Sequence, residues 1–506
     1  MSNRVIRVLA VAICLLFTST IAFAAGTQQA AQTDRVSIKI TVPGSPGTEN
    51  LGDRVYQAVE DRFNVHLDII YFIWNERTES IRRMIAAGDV PDVFENPGTG
   101  SVVYSEYRAE GLLADITDRI PTDTGIKRYF NDPQHAWMAE DGRWYGYPRW
   151  SNGLTNHVIH VRQDWLDALG MDLPDTVDDF YTMLVAFRDR NPGNVRNILP
   201  LALESLFFVE RMSMWFTGIL PQTGGHSFGP VGNTYEAYYV APGYRDFLVF
   251  TRRLITEGLL DPDWPLGTHW GSAEKIVGGR AGSTVFNFTA SYLEQIWGGV
   301  KETEPTARMA MVVPPIQGPG GQFHYGRPDS LGMNVFHANS PRLDRAIEVF
   351  DWLLTDQGQM LWRYGVEGVH YTVGSDGKPV LNLQEIEVDG SPRLLGKSDE
   401  WHPLSRITGY FFQEAAPSDE PYYGDFYDAI EALRPYRLID SALGFSHPDA
   451  RDLRTRIEEV RVEHVMSFLL GETAINDANW NRYLDALNRA GYPRLKALVL
   501  AHIQGR

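Results

Sequence analysis

Apolar and polar residues along the chain switch repeatedly between two periods. Val36, Ile38, Ile40 and Val42 alternate with their neighbours, which predicts a strand with one buried face. Leu51, Val55, Val59 and Phe63 then recur every four residues, on one face of a helix. Val65, Leu67, Ile69 and Tyr71 alternate again, Ile81, Met84 and Ile85 mark a second helix, and Pro91 opens the short apolar piece Val93-Phe94. This β-α-β-α-β order predicts a parallel, doubly wound sheet. Ligands of such sheets bind beyond the carboxyl ends of the strands, which directs attention to residues 43–50, Trp74-Asn75 and residues 95–99.

A second unit of the same kind begins near residue 153. Val158, Ile159 and Val161 predict a strand, residues 163–169 a short helix closed by Gly170, and residues 177–188 a helix that buries Phe180, Leu184 and Phe187. An aromatic helix surrounds Trp215, a Gly-rich loop spans 224–230, and an amphipathic helix covers 245–257. Strand-like text returns at 278–286, 310–313 and 331–336, followed by a helix over 341–354. The C-terminal third is helical, with apolar faces built from Leu453, Ile457, Val460 and Phe468, then Trp480, Tyr483, Leu484 and Leu487, then Leu495, Leu498 and Val499. There is no internal repeat.

Ahead of the first strand, Arg4 and Arg7, an apolar run over 8–17 and Ala22-Phe23-Ala24 form the pattern of a cleaved export signal. The run is too short for a membrane-spanning helix. Residues 1–24 read as the signal and 25–35 as a linker. The one Cys, Cys14, lies inside the apolar run after a bulky Ile13, so it reads as part of the signal and not as a lipid-anchor site. A periplasmic protein is expected. The whole chain has 506 residues and a formal net charge of -18, which becomes -20 once the signal arginines leave. Without basic blocks, this charge repels phosphate backbones and argues against nucleic acid as a partner. A single Cys excludes a disulfide framework and Cys-cluster metal sites.

Several chemistries lack a foothold. No G-x-S-x-G, Walker A, G-x-G-x-x-G or H-E-x-x-H occurs, and Trp264-Pro265 breaks the one EF-hand-like start at Asp261. His157 and His160, three apart on a strand, face opposite sides and cannot chelate one metal together. No metal, no cofactor and no catalytic residue is expected. Paired carboxylates such as Glu95, Glu204, Asp329 and Glu367 are the remaining route to an enzyme, but any pair among 64 acidic residues arises by chance. The aromatic residues are more informative: 13 Trp, 23 Tyr and 24 Phe make 12% of the chain. Many belong to cores. Trp144, Trp150, Phe286, Phe288 and Trp401 instead stand in polar segments punctuated by Gly or Pro, with Tyr364, His370 and Tyr371 in a further cluster. An aromatic plate beside Asn, Asp, Arg and His suits a pyranose, whose C–H face stacks on the ring while its hydroxyls bind planar side chains.

Seven segments together resemble one family. They are AAGDVPDVFE (86–95), GLLADITDRI (111–120), DGRWYGYPRW (141–150), residues 161–192 beginning VRQDWLDALG, GRAGSTVFNF (279–288), YGVEGVHYT (364–372) and GYPRLKAL (491–498). In this order they resemble the extracellular solute-binding proteins of family 1, receptors of carbohydrate ABC importers, and within them the large lipoprotein-type oligosaccharide-binding branch. Relatives of that type carry a Cys at the mature start, where this chain has Ala25.

The resemblance implies two α/β lobes, doubly wound, joined by three crossings and closing on ligand about a hinge, with a helical C-terminal extension. Lobe 1 is expected to comprise 36–149 plus 287–328, and lobe 2 150–286 plus 329–506. The crossings are expected at 145–152, 285–288 and 326–333. Arg149, Trp150, Phe286, Asn287, Phe288 and Asp329 are then the preferred contacts, with Glu95 and Asn96 beyond the third strand, Glu204, Phe207 and Trp215 as second-lobe subsites, and His370 and Trp401 from the late aromatic cluster. The implied partners are an oligosaccharide and the transmembrane subunits of an ABC permease, with the receptor itself a monomer. The alternatives are a secreted glycoside hydrolase or lyase, or a peptide receptor of the same fold.

Overall fold

The computed structural model describes residues 35–43, 53–72, 76–96, 102–148, 156–221, 227–267, 271–287, 293–323, 325–326, 332–375, 377, 379–388, 391–394, 428–429, 432–438, 440–442, 445, 447 and 449–505. Within them, strands β1 (Val36–Pro43), β2 (Val65–Phe72), β3 (Val93–Asn96), β4 (Tyr147–Pro148), β5 (Asn156–Arg162), β6 (Leu199–Ala202), β7 (Ala281–Asn287), β8 (Met309–Met311), β9 (Tyr325–Gly326) and β10 (Met333–Phe336) build two sheets.

The first sheet runs β2-β1-β3-β10-β4. β1 pairs in parallel with β2 (Val36 opposite Val65) and with β3 (Ile40 opposite Val93), as the alternating text predicts. Ile38, Ile40 and Val42 are fully buried, and the helix Asp53–Phe63 packs Val55, Val59 and Phe63 into the same core. β10 is antiparallel to both β3 and β4, so the sheet is mixed.

The second sheet runs β8-β5-β7-β6, with β9 also paired to β5. The helix Val177–Arg190 covers it. Thr176 accepts the Asp179 N–H (3.1 Å) while the Asp179 carboxylate accepts the Thr176 N–H (3.0 Å), a reciprocal cap that fixes where the helix starts. Its buried face carries Phe180, Leu184 and Phe187, the residues its periodicity singles out.

Strand pairing corrects two expectations. The described residues of segment 287–328 do not belong to the first lobe: β8 and β9 both pair with β5, and Leu293 and Ile296 share a core with Val158 and Phe286. Conversely β10 and the helices Leu343–Leu353 and Asp356–Tyr364, expected in the second lobe, belong to the first, with Ile347, Phe350 and Trp362 in its core. Residues 285–288 are therefore no crossing, because the chain on both sides of them packs in one lobe. The second passage between lobes runs instead from β9 to β10. A third follows Trp362 of the first core and precedes Ala429 of the second. A short apolar strand carries no local signal for which of two sheets will take it, and long-range pairing decides.

The C-terminal helices Ala450–Leu470, Asp477–Ala490 and Tyr492–Gln504 are part of the second core and not an appendage. Arg461, 4% exposed, pairs with the buried Glu210, which also accepts the hydroxyls of Tyr238 (3.2 Å) and Tyr244. Burial works against the Arg461 charge, but Glu210, Tyr238 and Glu458 outweigh it and hold the guanidinium well above its usual range.

His160, in the middle of β5, is fully buried and accepts the Trp297 indole N–H at Nδ1 (3.3 Å). Burial pushes its pKa down to about 4. The unfolded chain takes up this proton near pH 6.5 while the folded one does not, so stability falls as pH drops from 6.5 towards 4. Urea unfolding at pH 7 and pH 5 is expected to show a loss of ~2 kcal/mol from this residue, and His160→Gln to lack that share of the pH dependence.

Candidate functional site

Two passages of chain leave the first sheet side by side and enter the second side by side. In the first sheet Met333 of β10 lies opposite Pro148 of β4; in the second, Gly326 of β9 lies opposite Asn156 of β5. The chain ends that flank these passages, and the ends of the neighbouring strands, gather the polar and aromatic residues of the candidate site.

On the first-lobe side β3 ends in Glu95 and Asn96, both buried. Glu95 donates its N–H to Thr41 Oγ1 (3.3 Å), and its carboxylate lies 3.0 Å from Arg77 Nε of the helix Arg77–Ala86. Asn96 stands opposite Met333, the first residue of β10 after the passage. Gly332 precedes it with φ +154°, and a Cβ there would lie 2.6 Å from the Asn96 carbonyl oxygen. The close approach of passage and strand end requires glycine.

On the second-lobe side the two strands that begin or end at this edge, β5 and β7, place His157 opposite Asn287. His157 meets Phe207 and Phe208 edge to face, at ring distances of 5.8 and 5.1 Å, and Phe208 stacks on Phe286 at 6.4 Å with 7° between planes. The Arg211 guanidinium lies 3.7 Å above the half-buried Phe207 ring and donates to the Pro221 carbonyl. His157, Arg211, Trp215, Val285 and Phe323 contribute to the wall of a partly open cavity of about 30 Å³. Beyond the carboxyl end of β6, the buried Glu204 carboxylate accepts the Ser272 N–H (3.2 Å) and lies 3.4 Å from the Ser272 hydroxyl. The next residue, Ser205, holds φ +59°, a conformation that costs energy outside glycine and that clusters at functional sites.

The expected site residues thus divide. Glu95 and Asn96 stand at one strand end, and Glu204 at another. Trp215 lines the second-lobe cavity, while Phe207 stands beside two other residues of its wall, His157 and Arg211. Phe286 is fully buried beneath Phe208 and presents no surface in this conformation, and Trp215, 3% exposed, also packs edge to face on Phe180 at 5.5 Å. Trp144 is a packing residue, stacked on Phe130 at 4.3 Å. His370 serves a local turn, where Nδ1 accepts the Val366 N–H (2.8 Å) and burial, with the Arg54 charge, lowers its pKa. Arg149, Trp150, Phe288, Asp329 and Trp401 lie outside the described residues, and Asn287 is placed only as the last residue of β7. Sequence reasoning passed over His157 and Arg211. The available signal for His157 was its place in the first turn of strand after a passage, which the reading set aside in considering only metal chelation.

The two lobes also touch away from the passages. Glu106 of the first-lobe helix Val102–Ala109 pairs with Arg82 (3.0 Å) and with Arg451 of the second-lobe helix Ala450–Leu470 (3.4 Å).

Residues 47–360 match the bacterial extracellular solute-binding protein family, and the chain belongs to it. Among curated proteins, it is 23% identical over 336 residues to the polygalacturonan/rhamnogalacturonan-binding protein YtcQ of Bacillus subtilis (strain 168), a match that covers 64% of each chain. It is 25% identical over 296 residues to the fructooligosaccharide ABC transporter substrate-binding protein FusA of Streptococcus pneumoniae serotype 4, covering 55% of this chain and 52% of that one. The chain therefore spans about two thirds or less of these relatives' length. A crystal structure of the alginate-binding protein AlgQ2 without calcium ion superposes with a TM-score of 0.68 at 18% identity, covering 93% of this chain and 98% of that one. The likeness establishes a shared two-lobe fold. Each of these relatives is named as a binding protein, none as an enzyme.

Gly332→Ala is expected to destabilise the protein by ~1–3 kcal/mol, because the new Cβ meets the Asn96 carbonyl in a backbone conformation that disfavours it. Thermal or urea unfolding of the variant against the parent checks this.

Proposed function

We propose that this chain is the substrate-binding protein of an ABC importer, which takes up an extracellular oligosaccharide between its lobes and delivers it to the membrane permease. The observation that carries the reading is the concentration of one site at the edge where the passages meet: the Glu95-Asn96 strand end of one lobe faces the same passages as the His157, Phe207 and Arg211 cluster of the other. Membership of the family supports it, as do relatives named for polygalacturonan, fructooligosaccharide and alginate binding.

The mechanism is a shift between open and closed forms. A ligand that touches both lobes only when they close binds the closed form better, and that differential affinity moves the equilibrium. The passages act as the hinge. The Arg451 to Glu106 pair, made across the lobes, is then one of the contacts whose geometry closure changes. The protein is exported to the periplasm with its signal removed, binds as a monomer and performs no turnover. Arg149, Trp150, Asn287, Phe288, Asp329 and Trp401 complete the contact set around the passages.

A thermal-shift screen over neutral oligosaccharides, oligouronides and short peptides tests the reading. Stabilisation by an oligosaccharide supports it; stabilisation by peptides alone, or by none of the three, overturns it. Site variants separate contact from packing. Trp150→Ala and Phe207→Ala are expected to weaken oligosaccharide binding at least about tenfold in titration calorimetry, by loss of one stacking face each. Phe286→Ala instead removes a fully buried ring and is expected to cost about 3–5 kcal/mol of stability.

A further inference from the structure

We infer that Glu106 and Arg451 form a salt-sensitive ionic latch between the lobes, and that breaking it shifts the balance among lobe arrangements. The inference concerns the lobes themselves and does not depend on which ligand they take.

Each partner is mounted on an element anchored in its own lobe. Glu106 projects from the helix Val102–Ala109, whose Tyr104 and Tyr107 are buried in the first core. Arg451 projects from the start of the helix Ala450–Leu470, whose Ala450 and Leu453 are buried in the second. Any movement of one lobe on the other carries these two helices with it, and so changes the 3.4 Å contact between the side chains.

The first lobe presents Glu106 ready for its partner. One carboxylate oxygen, Oε2, takes Arg82 of the helix Arg77–Ala86 at 3.0 Å, which leaves Oε1 to Arg451. Arg82 is steadied in turn by Glu79 at 3.1 Å. Arg451 is the second residue of its helix, an end where the helix dipole disfavours a cation, and Glu106 is its one ion-pair partner among the described residues. The local helix thus gives Arg451 no reason to be a cation; the other lobe does.

The same two first-lobe helices touch the framework of the candidate site. The helix that carries Arg82 also carries Arg77, which lies against Glu95 at the end of β3. The helix that carries Glu106 also carries Tyr107, edge to face on Phe94 of β3 at 6.1 Å. Its Arg108 guanidinium lies 3.7 Å over the ring of Tyr145, two residues before β4 and the first passage. The latch therefore acts on elements that border both the strand end and the root of the hinge.

Its strength suits a reversible device. All three side chains keep contact with solvent, and a partly exposed pair changes an equilibrium by a factor of only about 1.5 to 5. That biases two arrangements of similar energy without locking either. Such a pair is also open to screening, because the Debye length falls from about 30 Å at 0.01 M salt to about 3 Å at 1 M.

Distances between two spin labels, one on each lobe of the full chain, test this. Cys14→Ser removes the one native thiol, and Asp344→Cys and Asp485→Cys supply an exposed helical position in the first and second lobe. Pulsed electron resonance of this labelled parent at about 0.01 M KCl is expected to show a main population at one interlobe distance. Glu106→Gln is expected to lower the ratio of that population to all others about 1.5- to 5-fold, and Arg451→Glu, which sets two carboxylates against each other, by at least as much. Raising KCl to about 1 M is expected to bring the parent to the level of Glu106→Gln, which itself responds little. Lys127→Gln breaks a pair with Asp123 (2.8 Å) inside the first lobe and is expected to leave the distances unchanged. Identical distributions in the parent, Glu106→Gln and Arg451→Glu overturn the inference. So does a parent indifferent to salt, or an equal shift in Lys127→Gln.

Discussion

The arrangement on which the rest depends is the paired register at the edge of the two sheets. β4 and β10 lie side by side in the first sheet, and β5 and β9 in the second, so two passages are anchored next to each other at both ends. Hydrogen-bonded ladders fix the four strand ends that flank these two passages. The same pairing explains why β10 runs against β3: a strand arriving from the other lobe enters the sheet from the opposite end to the strands that the first lobe supplies itself. It also explains why the polar strand ends collect there. β3 and β7 both end at this edge, and β5 and β10 begin there.

Each lobe has a distinct device for holding its side of the edge still. In the first, the Glu95 carboxylate is tied to Arg77, and Gly332 allows the passage to lie against Asn96. In the second, the aromatic stack from His157 through Phe208 to Phe286 continues into the core, and Arg211 lies across Phe207 at its upper end. Arg211 follows directly on Glu210, whose carboxylate is fixed by Tyr238, Tyr244 and Arg461. The C-terminal helices thereby reach the candidate site through one residue step, because Arg461 anchors the short segment from which Arg211 projects. A buried ion pair of this kind is a costly way to gain stability, since desolvation offsets much of the attraction, and its value lies in placing the segment uniquely.

Part of this was legible in the chain alone. The opening β-α-β-α-β order, the helix read over 177–188 and observed over Val177–Arg190, and the three C-terminal helices all follow from periodicity, because each is decided by residues close in sequence. The burial of Phe286 was not legible: Phe208, 78 residues away in the chain, covers it. Trp144 was misread for the same reason, since Phe130 closes over it. A side chain in a Gly- or Pro-punctuated segment looks exposed locally, and only its spatial neighbours show otherwise. Arg211 offered no signal of its own, because a single Arg in an aromatic helix reads as a solvated charge.

The two-unit α/β plan, the acidic character that argues against a nucleic-acid partner, and the family to which the chain belongs were all set by the sequence, since these rest on local periodicity, composition and ordered motifs. Only pairing and packing between distant residues assigned the described segments after residue 287 to their lobes. Strands such as Met309–Met311 and Met333–Phe336 are both short, apolar and flanked by turns, so nothing in either distinguishes one sheet from the other. Their partners, His160 for the first and Glu95 for the second, lie more than a hundred residues away, and it is hydrogen bonding to those distant backbones that assigns them.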